Sequence, residues 1–586
     1  MSGVSDDTPA IPRLEGLHTP HHHGPCFLTR FATELIQEII ERIPPASHLD
    51  FACTCKKIFA DSSDILERHH VAHDKYSVSS DIDPITVPTL VRSALGYGDP
   101  ILAWHVRSLE IWYDRKHWWE WKPLKFDIPI DQDTNTSPIS WGYIPGETDD
   151  YLERLGQGWA GPSLARVFEA RSNIEAGGDA HLKANLIANC PRLQDVKLVM
   201  PARYEMMGFC CIRYLGFLID HVQNQGTSWP PGLQNLRNIA VGVISETWMD
   251  SVYDPTTQTY NTVILAHLFK LPSIEKIYFR DLVSQEYDQR PWGTIIPAKS
   301  SSLKHLFLDN CSALSQTFCN ALFAAPSALI SCAFRAGSAL LEDADMIITP
   351  LEYYQNHTLE SLMFYGFGSN HDNSEHIRGY RCHAFRPAEL EKFTTLKQVC
   401  MNTQDTELDA FYEAETGKKE DETDGAWLER FFALRLPKTL EVLVLWDGLA
   451  DRHIHWEPNA KVGFENAVIG LVTGRYLEEG EPKRPLEAIC LADVERKGWP
   501  VYDEDYTPPE ISPEDRDTPW FTRAVAVARE HGVDLHTMAN RVKMLHQHSF
   551  PRGLDRWDFR SAPWYGEADG WAFDVYLGRR VPGGRE

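Results

Sequence analysis

The sequence has no apolar run long enough to span a bilayer, and its first residues are not expected to act as a secretory leader. The best candidate, 263–271, is interrupted by His267 and Lys270, whereas a spanning helix needs about 20 apolar residues. Residues 1–20 are polar and include acidic side chains, which is unlike a signal peptide. We therefore expect an intracellular protein, cytoplasmic or nuclear, that does not bind a membrane.

An excess of basic residues is also lacking. The 586 residues include 57 Lys and Arg against 83 Asp and Glu, a formal charge of −26. The most basic stretch, 115–125, is diluted by three tryptophans and a glutamate. Because an acidic surface repels phosphate backbones, we do not expect a nucleic-acid partner.

Recognisable catalytic and metal-binding motifs are absent as well. The sequence contains no nucleophile elbow, phosphate-binding loop, dinucleotide fingerprint or H-E-x-x-H pair. None of its 12 cysteines are spaced C-x-x-C, so they are interpreted as buried thiols. We expect no catalytic residue, no metal and no cofactor. A hydrolase site assembled from distant residues is the least favoured alternative.

Three short helices are predicted after a disordered tail, residues 1–24, whose composition cannot support a core. After Thr33 the apolar residues form one helical stripe, ended by Pro44-Pro45: Leu35, Ile36, Ile39, Ile40 and Ile43. A second helix is expected to turn Leu49, Ala52 and Cys53 inward, and a third segment carries Ile58 and Phe59. Such a small unit buries too little surface to be stable alone.

Residues 27–65 resemble the F-box. The match lies in Phe31-Ala32-Thr33-Glu34-Leu35, Ile43-Pro44, Leu49 and Cys55-Lys56, whereas the usual pattern opens Leu-Pro-x-Glu-Leu and closes with Cys-Lys. Phe31-Ala32 replaces Leu-Pro, which removes a preset first helical turn. An ordinary helical hairpin is the alternative. The resemblance implies docking on a Skp-family adaptor, and through it on a cullin, by Phe31, Leu35, Ile39, Ile43, Pro44, Leu49, Cys55 and Lys56.

Ten copies of the pattern L-x-x-L-x-L follow residue 100. They begin at Val106, Leu193, Leu236, Ile274, Leu303, Leu329, Leu359, Leu396, Leu440 and Leu486. The last two apolar positions of each triplet alternate as on a short strand, which is typical of leucine-rich repeats. From the second triplet on, successive copies are 26 to 46 residues apart, compared with about 20 to 29 in regular repeats. The alternative is an α/β domain with unrelated strands.

The predicted fold is therefore α/β. It comprises a disordered tail (1–24), a three-helix F-box (25–75), an irregular leucine-rich-repeat-like solenoid with insertions (76–500) and a C-terminal cap (501–586). Residues 112–150 lack periodicity and are interpreted as a loop. In the cap we expect helices over about 520–530 and 535–546 and then an aromatic segment, since the ends of a solenoid must be covered.

The residues between and just after the triplet positions predict a substrate site on the open, concave face of the sheet. They are unusually rich in aromatic and basic side chains, the residue types of binding hot spots. The candidates are Trp112, Tyr278, Arg280, His305, Phe307, Tyr365 and Trp446. The alternative is that inserted segments cover this face and make the aromatic residues part of the core.

An F-box followed by such repeats resembles the substrate receptors of cullin–RING (SCF-type) ubiquitin ligases, including the divergent members of filamentous fungi. The resemblance implies a non-enzymatic subunit that binds an unknown protein substrate through its repeats for degradation. The alternative is a repeat scaffold for protein–protein interaction with no role in a ligase.

Overall fold

A mixed α/β structure is built on one parallel sheet, as described by a computed structural model of the protein. The structure describes residues 27–125, 130, 132–158, 164–198, 210–242, 260–280, 282–283, 291–311, 314–336, 345–365, 387–402, 436–446, 458–475, 483–492, 521–536, 543–544, 564–565, 571–574 and 579–582.

The main sheet has 12 strands within these residues, and every neighbouring pair is parallel. Its order follows the chain: β1 (Val78–Ser80), β2 (Ser108–Ile111), β3 (Asp195–Leu198), β4 (Asn238–Val241), β6 (Lys276–Arg280), β8 (His305–Cys311), β9 (Ser331–Ala336), β10 (Ser361–Tyr365), β11 (Gln398–Asn402), β12 (Val442–Trp446), β13 (Ala488–Ala492) and β14 (Asp534–His536). A separate parallel pair joins β5 (Tyr260–Asn261) to β7 (Leu282–Val283).

The last two residues of all ten triplets lie on strands of this sheet and pair in register, and the first residue of each triplet lies just before its strand. Leu109 is opposite Val196, Val196 is opposite Ile239, and this row continues through every strand to Ile489 opposite Leu535. Apart from Leu486, which is half-buried, every triplet residue is at most 3 % exposed. The alternation therefore identified the strands and their inner face correctly.

A repeated backbone contact explains why the register survives connections of such unequal length. At the start of β2, the carbonyl of Arg107 accepts hydrogen bonds from the N–H groups of Gln194 and Asp195, at 2.8 and 3.1 Å. The same two-donor arrangement recurs at the carbonyls of residues 77, 194, 237, 275, 304, 330, 360, 397 and 441. In ten of the eleven neighbouring pairs of the main sheet, each strand is thus aligned with the next before its ladder begins.

The described residues include 17 α-helices. They are α1 (Thr33–Arg42), α2 (Pro45–Ala52), α3 (Lys56–Asp61), α4 (Ser63–Tyr76), α5 (Thr86–Leu95), α6 (Pro100–His105), α7 (Glu147–Gly158), α8 (Leu164–Glu175), α9 (Ala180–Asn189), α10 (Cys211–Gln225), α11 (Pro231–Asn235), α12 (Thr262–Leu268), α13 (Trp292–Ile295), α14 (Gln316–Ala324), α15 (Asp345–Gln355), α16 (Pro458–Thr473) and α17 (Thr522–Glu530). Short 3₁₀ helices occur at Phe27–Arg30, Trp118–Glu120 and Pro387–Lys392.

The helices and the triplet face of the sheet share one hydrophobic core. Helix α9 packs against α5, α10 and α11, α14 against α15, and α16 against α17. The core runs from Ile40 in α1 to Leu535 in β14 and includes the triplet side chains of the strands between them. Burial of this continuous apolar surface is the main favourable contribution to folding.

The described part of 112–150 is mostly irregular, as predicted, and it is packed into the fold: Trp121 is fully buried and its indole ring stacks 5.5 Å from that of Trp141. One prediction of secondary structure is wrong. A helix over 535–546 is not formed, since β14 extends the main sheet and Lys543–Met544 is β15. Strand β15 opens an antiparallel sheet with β16 (Trp564–Tyr565), β17 (Trp571–Asp574) and β18 (Arg579–Pro582). The tail, residues 1–24, lies outside the described residues.

Candidate docking surface on the N-terminal helices

Helices α1 to α3 form a small unit whose inner side chains are fully packed. Ile36, Ile40, Ala52 and Ile58 are each at most 2 % exposed. Helix α1 ends at Arg42 because Pro44 and Pro45 follow, and Pro45 is the first residue of α2, a position where proline's missing N–H is not needed. The Thr33 hydroxyl donates a hydrogen bond to Asp61 at 3.2 Å and ties α1 to α3.

Several large apolar side chains of this unit, and Phe27 in the 3₁₀ helix before it, are exposed to solvent. Phe27, Leu35, Leu49 and Phe59 are 67, 49, 60 and 55 % exposed. They are four of the 11 exposed large apolar residues in the described part of the chain. We refer to these four as the exposed apolar set. Single exposed apolar residues are ordinary, whereas four of them within residues 27–59 make this part of the chain the candidate docking surface.

The predicted adaptor-binding residues divide between the outer surface and its margin. Leu35, Pro44, Leu49 and Lys56 are exposed, whereas Phe31, Ile39, Ile43 and Cys55 are half-buried. The sequence predicted that Leu49, Ala52 and Cys53 face inward from the second helix. Of these three residues only Ala52 is buried, so the prediction is wrong for Leu49 and Cys53, which are exposed. Sequence reasoning did not select Phe27 and Phe59 as binding residues, since periodicity in such short helices does not show which apolar side chain points outward.

Charged side chains fasten this unit to the sheet-containing part. Arg68 on α4 pairs with Glu41 of α1 and, at 2.9 Å, with Asp99 immediately before α6. Asp99 also caps α6 by accepting a hydrogen bond from the Ile101 N–H at 3.0 Å. The orientation of the exposed apolar set relative to the sheet therefore depends on α4 and α6.

The predicted substrate face of the sheet is covered. Trp112, Tyr278 and Phe307 are at most 1 % exposed, so the expectation that these side chains are open to a partner is wrong. The Tyr278 and Phe307 rings pack 5.4 Å apart. Met363, Cys400 and Val444 in the same row are also buried, and both sides of a parallel sheet are usually buried in this way.

The other predicted residues on this face are less enclosed or lie outside the description. His305 is half-buried and hydrogen-bonds to the Ser331 hydroxyl at 2.8 Å. Burial, then the nearby Lys276 and Lys304, lowers the pKa of His305 to about 4. The backbones of Arg280, Tyr365 and Trp446 lie on β6, β10 and β12, and their side chains lie outside the described residues.

A buried charged cluster lies where β1, α9 and the 112–150 segment meet. It consists of Asp81, Asp114, Arg115, Asp179 and Lys183, all at most 6 % exposed. The Lys183 ammonium is 2.8 Å from Asp81, 2.9 Å from Asp179 and 3.5 Å from Asp114. Burial raises the pKa of Asp114 to about 6, against the opposing effect of Lys183.

This buried charged cluster is enclosed by hydrogen bonds from the protein itself. Asp81 accepts from the Trp112 N–H at 2.7 Å, Asp179 from the Arg115 N–H at 2.9 Å, and Asp114 from the Cys211 N–H at 2.8 Å. These bonds join four segments that are distant in sequence. The arrangement fastens the fold and offers no opening to a substrate.

Comparisons with known proteins add no family assignment. No protein-family model matches the chain, and no curated protein matches it. Within the described ranges, no group of three or more His, Cys, Asp or Glu side chains is arranged to hold a metal ion. No helix in the same part of the chain is long and apolar enough to cross a lipid bilayer.

Proposed function

We propose that the chain is a non-catalytic substrate receptor of a cullin–RING (SCF-type) ubiquitin ligase. Its N-terminal helices would dock on a Skp-family adaptor, and the remainder would hold a protein substrate beside the ubiquitin-charged enzyme. Holding the substrate there raises the effective concentration of its lysines at the site of transfer.

The observation that carries this proposal is that some apolar side chains of α1 are buried and others are exposed. Ile36 and Ile40 are buried against the chain itself, whereas Leu35 on the same helix is 49 % exposed. The residues of the F-box resemblance include Leu35 and Leu49, and both belong to the exposed apolar set. The F-box resemblance implies that these residues contact an adaptor. Their being both apolar and exposed supports docking of a partner on them.

The order of the main sheet supports the repeat part of the proposal. Its strands follow one another in chain order, all parallel, with the triplets in one register. A doubly wound α/β sheet instead reverses its order at a switch point. We infer a leucine-rich-repeat-like solenoid that continues beyond residue 500 to β14, with an F-box at its N-terminal end.

A matched pair of variants tests the docking proposal. Leu35→Asp places a charge in the proposed interface, and burying it unpaired costs about 3 kcal/mol, roughly a hundredfold in Kd. Gln37→Asp adds the same charge to another exposed position of α1, about 200° around the helix from Leu35. Both variants should keep the wild-type thermal midpoint, because both positions are exposed.

The measurement is recovery of a recombinant Skp-family adaptor by the tagged full chain. We expect recovery by wild type and by Gln37→Asp, and its loss in Leu35→Asp. Equal recovery by Leu35→Asp and wild type would show that α1 is not the docking helix. Failure of the wild-type chain to recover any adaptor would favour the alternative, a repeat scaffold with no ligase role.

A further inference from the structure

Three histidines form a hydrogen-bonded chain between the N-terminal helices and α6. His48 lies on α2, His69 on α4 and His105 at the end of α6. His48 Nδ1 is 2.8 Å from His69 Nε2, and His69 Nδ1 is 2.7 Å from His105 Nε2. At the other end, His48 Nε2 is 3.0 Å from the Ile43 carbonyl oxygen. His48 is buried, and the other two rings are half-buried.

The Ile43 carbonyl determines where the protons lie. A carbonyl only accepts, so His48 donates from Nε2, and its neutral ring accepts at Nδ1. His69 therefore donates to His48 from Nε2 and accepts at Nδ1, and His105 donates to His69 from Nε2. His105 Nδ1 is then a buried acceptor, without a hydrogen-bond partner among the described residues. Every hydrogen bond in this series of histidines is therefore formed when all three rings are neutral.

Additional protons weaken this arrangement in two ways. On His48 or His69, a second proton would oppose the N–H of the next ring and break a hydrogen bond. On His105 Nδ1, it would create a cation in an enclosed position. The charged and titratable groups around the chain are Glu41 on α1, Arg68 and His73 on α4, Asp99 before α6, Arg107 after α6 and Arg192 before β3.

These surroundings favour neutral rings. Burial, followed by His48 and Arg68 and opposed by Asp99, lowers the pKa of His69. Burial, followed by His69, His73, Arg107 and Arg192, lowers the pKa of His105 to about 4. Glu41 and Asp99 are already paired with Arg68.

We propose that His48, His69 and His105 form a proton-operated latch that holds α2 against α4 and α6. The latch is closed near neutral pH and opens on acidification, which releases residues 43–52 while the main sheet remains folded. This inference concerns the orientation of the N-terminal helices and holds whether or not they bind an adaptor.

The direction of the pH effect follows from proton uptake. In an opened latch the rings of His69 and His105 regain a pKa near 6.5, about the value for a free histidine, so the open state binds more protons than the closed one. The stabilisation is complete above about pH 6.5 and is lost as the pH falls towards the lowered pKa values. Uptake of one proton shifts the opening equilibrium by up to about tenfold per pH unit.

Amide hydrogen exchange of the full chain tests the latch. Exchange is measured at pH 7.5 and 5.5 and corrected for intrinsic rates, with 43–52 as the reporter and 303–308 in the main sheet as the internal reference. In wild type we expect protection of 43–52 to fall by about tenfold and that of 303–308 to stay constant. Constant protection of 43–52, or an equal fall in 303–308, would overturn the proposal.

Variants assign the effect to the chain of histidines. In His69→Gln/His105→Gln each new side chain can donate and accept but cannot titrate, so the pH-dependent fall should shrink to less than about twofold. His70→Gln is the control, because His70 is exposed on the same helix and faces Asp74 at 3.6 Å. The assignment is refuted if protection of 43–52 falls as much in the double variant as in wild type. It is also refuted if this pH-dependent fall disappears in the His70→Gln control. If the double variant fails to fold, the proposal is still tested by comparing the protection of 43–52 and 303–308 at the two pH values in the wild-type chain.

Discussion

Replacing Lys183 by methionine tests whether the buried charged cluster holds the fold together. The substitution keeps most of the side-chain volume and removes an ammonium group that lies within 3.5 Å of Asp81, Asp114 and Asp179. Arg115 would then be left as the cation beside Asp81 and Asp179, and Asp114 would keep its hydrogen bond from the Cys211 N–H. Breaking a buried ion pair from one side costs about 3–5 kcal/mol, so we expect that loss in the free energy of unfolding, measured by urea denaturation at pH 7.5.

The pH dependence of this loss separates charge from packing. Burial raises the pKa of Asp114 to about 6 in the presence of Lys183, which opposes the rise. Without Lys183 the pKa rises further, so the folded state binds more protons than the unfolded one. Stability is then gained as the pH falls through that pKa, and the loss caused by Lys183→Met should be smaller at pH 5 than at pH 7.5.

A second lysine provides the control. Lys304 is 47 % exposed and lies 3.6 Å from Glu275, so Lys304→Met should change the free energy of unfolding by less than about 1 kcal/mol. A loss below about 1 kcal/mol for Lys183→Met, or the same loss at both pH values, would refute the electrostatic account of the cluster.

Two further predictions concern buried residues of the sheet region. Tyr278→Ser and Phe307→Ser should each lower the free energy of unfolding by about 3–5 kcal/mol, because both rings are buried. Thermal midpoints equal to that of wild type would show that these rings do not stabilise the fold and would favour a role in partner binding. Gln355→Leu should cost at least about 2 kcal/mol in urea denaturation, since the Gln355 amide bonds the Phe323 and Pro326 carbonyls and the Leu329 N–H at 2.8–3.0 Å. Wild-type stability of this variant would contradict that reasoning.

The local sequence pattern was sufficient to predict a helix or strand where apolar residues recur at a regular spacing along one face of that element. The α1 stripe predicted a helix from Thr33 that ends before Pro44, and the helix is Thr33–Arg42. The same logic failed at Leu535, because a short apolar segment fits a helix or a strand equally well. There, pairing of Leu535 with Ile489 decides for the strand.

The burial of Tyr278 and Phe307 depended on information that their own strands do not contain. Alternation places both side chains on the face opposite the triplets, and it does not say what lies against that face. Their packing is a tertiary property. The proposed binding face was therefore assigned to the correct side of the sheet and to the wrong environment.

By itself, the sequence determined the ten triplet strands and the N-terminal helices, because side-chain period and proline positions act within a few residues. Only the tertiary structure decided the histidine chain and the buried charged cluster. His48, His69 and His105 are 21 and 36 residues apart along the chain, and Asp81 follows β1 whereas Lys183 lies in α9. Such contacts depend on how elements are packed side by side, and packing leaves no period in the sequence that could reveal them.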